Sequence, residues 1–128
     1  MMKTTLNKIA AFLAFIIGVM AVFAGGQVLL GEIPDYYVID WLPVYNYTVG
    51  IITVFATAAL IWTNNRLALP AALATLFFHA VVMLLLQLAY NNVVAVDSLV
   101  AMTVRLITWI IILVLMLFQI KKNKVAPK

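Results

Sequence analysis

Cysteine is absent from the chain, which removes disulfides, thiolate metal centres and thiol-dependent redox chemistry together. Charge is nearly as scarce: 9% of the 128 residues are Asp, Glu, Lys or Arg, against about 25% in soluble domains. Histidine occurs once, at His79, so side chains of one chain cannot assemble a multi-ligand metal site. Bis-histidine haem ligation would need a second copy or another subunit. The chain also lacks a Gly-rich phosphate loop, an HExxH pair, paired carboxylates for acid–base work and a Ser/His/Asp set with an embedded acid. No catalytic residue, metal or resident cofactor is therefore expected.

What remains is apolar. Hydrophobic residues make up 67% of the chain and the mean hydropathy is +1.17, values for which water cannot be the main solvent. The formal net charge is +4, but the basic residues sit at segment ends rather than in one patch, so nucleic acid is not an expected partner. Four apolar stretches, at 9–30, 43–62, 67–90 and 98–120, each approach the ~20 residues that cross a bilayer core as helix. Helix is required because the hydrocarbon offers backbone N–H and C=O groups no water. The expected fold is an all-α integral membrane protein, a single four-helix bundle over 1–128, with an interfacial loop at 31–42 and a basic tail at 121–128. Gly31 and Pro34 mark the end of the first span, Asp40 is a candidate N-cap for the second, Asn64 and Asn65 mark the next turn, and Asp97 or Ser98 can cap the fourth.

Charge orders the ends. Lys3, Lys8, Arg66, Lys121, Lys122, Lys124 and Lys128 fall on one side of four alternating spans, and Glu32, Asp35, Asp40 and Asp97 on the other. The positive-inside rule then predicts cytoplasmic termini in a bacterial-type inner or plasma membrane. Tyr36, Tyr37, Trp41, Tyr45, Tyr47 and Tyr90 gather near the outer boundary and Trp62 near the inner one, as an aromatic belt would. A competing parse reads the first span as a signal peptide cut after Val22-Phe23-Ala24, although the apolar run continues through Leu30.

Small and polar residues at three-to-four spacing predict the inward faces. They are Ala11, Ala14, Gly18, Ala21 and Gly25 on the first span and Asn46, Gly50, Thr53 and Thr57 on the second. The third carries Ala68, Ala72, Thr75 and His79, with Gln87 two turns on, and the fourth Ser98, Ala101, Arg105 and Thr108. At ~1.5 Å rise per residue, Asn46, His79 and Arg105 share a level in the outer half of a ~30 Å core, with Gln27 and Gln87 slightly higher. Arg105 carries the most information, because a guanidinium cannot shed its charge and must find an acceptor or counter-ion. Asp40, Asp97, internal acceptors and an incoming anion are the candidates. Trp109, four residues on, can stack on Arg105; His79 can pack, relay protons or meet a quinone carbonyl.

In size the chain resembles the small multidrug-resistance exporters, but that family depends on a Glu in its first helix and no acidic residue lies in the first span here. Its plan is also similar to four-helix proteins of the DoxX type, without a shared motif. Two functional expectations follow. One is a structural or accessory subunit that associates with itself or with a larger membrane complex in the lipid bilayer. The other is an outward-facing binding or transport module that uses Arg105, His79, Asn46, Gln87, Gln27 and Trp109 for a small polar or anionic ligand or a quinone.

Overall fold

The computed structural model describes residues 4–125; Lys3 and Lys128 of the basic ends lie outside them. Among the described residues the chain is all helical, and four helices are long and apolar enough to cross a membrane. They are α1 (Thr5–Leu29), α2 (Leu42–Trp62), α3 (Ala68–Leu88) and α4 (Val96–Val125). α1 begins four residues before the predicted span and α4 runs five residues past it. Lys8, Lys121, Lys122 and Lys124, which flank those spans, are therefore helical too.

Two of the connections close as Schellman turns. After α1, Gly31 adopts φ +103° while Glu32 N–H donates to Gln27 O and Gly31 N–H to Val28 O. After α2, Asn64 adopts φ 53° while Asn65 N–H donates to Leu60 O and Asn64 N–H to Ile61 O. Both positions require a left-handed backbone, which glycine and asparagine tolerate best. The 31–41 segment is irregular, and it turns Ile39 into the bundle end against Leu42, Val82, Leu86 and Met102. Two N-cap expectations are corrected. Trp41, not Asp40, precedes α2, with Pro43 pre-setting its first turn; α4 starts at Val96, which moves Asp97 into the first turn. There an acid still complements the partial positive charge of the helix start.

α1 is the central element, packing against both α2 and α4, while α3 packs on α4 and approaches α2 along Thr53–Trp62. The α1–α2 seam is the tightest. A Cβ on Gly50 would stand 2.8 Å from both Gly18 O and Val22 N, and one on Gly25 would stand 2.5 Å from Pro43 O. Helices in lipid associate by such close approach rather than by hydrophobic burial. Across this contact α2 includes one π-turn, Thr53–Thr57, in which the Ala58 N–H reaches the Thr53 carbonyl. The added residue advances the buried face, so Thr57 and Ala58 both point inward.

The predicted stripes of α1, α2 and α3 are inward for their small residues and for His79. That of α4 is shifted: Ala101 is exposed, and Met102, Trp109, Ile112, Met116 and Gln119 join Ser98 and Arg105 on the buried face. Large side chains are needed there because α4 faces α2 across the bundle without close backbone contact. The threonines of α3 and α4 spend their hydroxyls locally, Thr75 on Ala71 O, Thr103 on Leu99 O and Thr108 on Val104 O.

At the end carrying the termini, a polar cluster joins three helices. Gln119 Oε1 accepts from the Leu6 N–H at 2.9 Å, capping α1 from the far end of the chain, and Asn7 Nδ2 donates to Asn64 Oδ1 at 2.7 Å. Lys8 lies 4.8 Å from the Trp62 ring centre. Asn64→Gly preserves the left-handed turn but strips the buried Asn7 amide of its acceptor. The expected cost is about 1–2 kcal/mol, read as reversible unfolding in mild detergent. An unchanged stability would show that the turn conformation alone matters at this position.

Candidate functional site

The apolar interior is split in two. One cluster contains Ala10, Ala14, Ala72, Trp109, Ile112 and Met116, and the other Ile39, Leu42, Val82, Leu86 and Met102. The layer between them is polar, because each helix that contributes to both clusters changes character there: α2 supplies Tyr45 and Asn46, α3 His79, and α4 Arg105.

Arg105 is 5% exposed. Its Nη1 donates to Asn46 Oδ1 across the bundle and to Met102 Sδ at 3.4 Å. Among the described residues no carboxylate lies within 4.0 Å of the guanidinium. Neither Asp40 nor Asp97 therefore neutralises it. A guanidinium carries five N–H donors in a fixed fork, and the protein groups named use only Nη1.

The side chain stands between two spaces. The larger, a half-open cavity of about 60 Å³, lies at the loop end among α1, α2, α4 and the 31–41 segment. Arg105, Met102 and Asn46 line its deep part; Ser98, Asp97 and Tyr36 line the part nearer the loop, and Ala24, Val28, Val38, Leu42 and Pro43 give it apolar walls. The smaller space, about 10 Å³, is bounded by Gly18, Gly50, Thr53, His79, Arg105 and Trp109.

His79, 3% exposed, takes a different partner. Its Nδ1 and the Tyr45 hydroxyl share a hydrogen bond of 2.7 Å, and the two rings meet edge to face at 5.8 Å. Trp41 Nε1 donates to the Tyr90 hydroxyl at 3.0 Å and packs edge-on to Tyr45. Rings thus fill the α2–α3 seam at the loop end, where the backbones stand apart. Trp109 lies against His79, ring centres 6.5 Å apart, and is fully buried in the first apolar cluster.

The six predicted site residues therefore divide. Arg105 and Asn46 meet in the larger pocket; His79 and Trp109 line the smaller space with Arg105. Gln87 is exposed on α3, and Gln27 lines a shallow groove with Glu32 and Tyr47 on another side of α1. Tyr45, assigned by sequence only to the aromatic belt, is the partner of His79. Its signal was the adjacency to Asn46, since neighbouring residues on a helix face different partners. Asn7 and Gln119, both buried, also went unmarked, although Gln119 continues the α4 face of Arg105, Trp109, Ile112 and Met116.

Tyr45→Phe removes one hydroxyl and leaves the ring packing intact. It is expected to lower the unfolding free energy by about 1–2 kcal/mol, measured by denaturant titration in a maltoside detergent. Comparison with protein families, with curated proteins and with solved structures finds no match to this chain.

Proposed function

We propose that this chain is a four-span protein of a plasma or inner membrane, with both termini cytoplasmic, that binds a small anion-bearing ligand in the pocket at its outer end. Arg105 receives the anionic group, and Asn46 holds the guanidinium toward the pocket. The observation that carries this reading is a buried, permanently charged guanidinium with a neutral acceptor and, among the described residues, no carboxylate within 4.0 Å, lining a half-open pocket at one end of the bundle. A charge so placed is costly unless an anion completes it. The orientation rests on Lys8, Arg66, Lys121, Lys122 and Lys124 at one end of the helices and Glu32, Asp35, Asp40 and Asp97 at the other.

A structural or accessory role remains the second reading, favoured by the Tyr45–His79 bond, which satisfies half of the polar layer within the chain. Binding of dodecyl phosphate to protein purified in a maltoside detergent tests the first. Saturable binding is expected for the wild type and a loss of about ten- to a hundredfold for Arg105→Gln, the worth of charge-assisted hydrogen bonds. Equal binding by both proteins would remove the basis for the anion site and leave the structural role.

A further inference from the structure

The pocket that holds Arg105 also contains an opposite charge. Asp97 and Arg105 both line it, eight residues apart on α4, or about 12 Å of helical rise. No ion pair joins them, because Asp97 belongs to the first turn and Arg105 is tied across the bundle to Asn46. Between them lie Ser98 and Ala101 on the same helix, and Tyr36 lines the pocket from the loop. A simple anion seated at Arg105 would have a carboxylate as its neighbour toward the mouth and would be repelled by it. A molecule with an anion at one end and a cation at the other meets a complementary charge at each end and enters with little net charge to desolvate.

From this we infer that the ligand is zwitterionic, its phosphate or carboxylate on Arg105 and its ammonium group held by the Asp97 carboxylate and the face of Tyr36. The inference rests on the anion site proposed above and names its ligand class. An ammonium suits both groups, since a carboxylate supplies charge and an aromatic face supplies cation–π attraction. Ser98, buried beside Asp97, offers a hydroxyl to the atoms linking the two charges. Val28, Val38, Leu42 and Pro43 supply apolar wall along the same pocket, against which the two methylenes of a phosphoethanolamine-type head group would lie.

The test compares two lysolipids that share a phosphodiester and differ in the ammonium group, lysophosphatidylethanolamine and lysophosphatidylglycerol, on the intact chain in a maltoside detergent. Wild type is expected to prefer the ethanolamine lipid by about tenfold, or about 1.4 kcal/mol. Asp97→Asn should abolish that preference while retaining binding of the glycerol lipid, because Asn keeps the exposed helix start and removes only the charge. Arg105→Gln should weaken both lipids, and Arg105→Lys should restore part of both.

Equal affinity for the two lipids in wild type, unchanged by Asp97→Asn, would overturn the zwitterion inference and leave the anion site standing. Binding of neither lipid, or binding indifferent to Arg105→Gln, would overturn both. Glycerophosphoethanolamine, the same head without an acyl chain, separates the two sources of this chemistry. Binding of the free head group with the same Asp97 dependence supports a soluble zwitterion, and binding only when the chain is present supports a membrane lipid.

Discussion

Gly50→Leu is expected to separate α1 from α2 and to lower the unfolding free energy by about 3 kcal/mol, the upper end of ordinary overpacking. The added Cβ alone would stand 2.8 Å from Gly18 O and from Val22 N. Those atoms belong to the α1 backbone, so relief cannot come from a side-chain rotation. The helix would have to move, and with it the Gly18 and Gly25 contacts along the same seam. Gly26→Ala is the matched control: its Cβ would meet only the Tyr47 ring, at 3.7–3.8 Å, which is ordinary contact. Removing a glycine from the last turn of α1 should then stabilise by about 0.5 kcal/mol, less than the ~1 kcal/mol of a helix interior. Unfolding in mixed detergent micelles, followed by circular dichroism, reads both. Tolerance of Gly50→Leu would mean that the seam is not the rigid part of the bundle.

Arg105→Met is expected to act in opposite directions on stability and on binding. Methionine fills a similar volume beside Met102 and Trp109 and removes a charge that the protein does not neutralise, so the unliganded bundle should gain about 1–4 kcal/mol, as when other buried charges are replaced by apolar side chains. Asn46 loses its partner, but it is only half-buried and lines an open pocket, so water can satisfy it. The same substitution should abolish saturable binding of dodecyl phosphate. A site that lowers stability in exchange for recognition behaves in this way. A structural Arg105 behaves otherwise: if its bond to Asn46 serves to hold α2 and α4 in register, Arg105→Met destabilises the protein and leaves no binding to lose.

The candidate site was partly legible in the sequence. Arg105 stood out because a permanent charge inside an apolar run has few ways to be satisfied, and Asn46 because it shares the level of Arg105 at helical rise. The assignment of His79 to the same ligand set did not anticipate Tyr45, whose hydroxyl occupies Nδ1. Equal depth in two helices says nothing about their rotation, and here rotation directs the imidazole toward the α2–α3 seam. The α4 stripe was displaced for a related reason. Small residues mark an inward face where helices approach closely, as Ala10 and Ala14 do on α1, but α4 stands off from α2 and fills the gap with Met102 and Trp109.

Apolar run length and charge spacing determined, without any tertiary information, that the chain forms four helices long enough to cross a membrane and that one of them carries a charge needing a partner. Those properties are local: hydropathy acts segment by segment, and the 3.6-residue period places small side chains on one face wherever the helix packs. Only the tertiary structure decided that Arg105 bonds to Asn46 rather than to Asp40 or Asp97, that Gln119 caps the start of α1, and that Asp97 shares a pocket with Arg105 without pairing to it. Partner choice depends on the stagger and rotation of whole helices. These are set by the backbone contact of Gly18 and Gly25 with α2 and by side chains far apart along the chain, which no local pattern encodes.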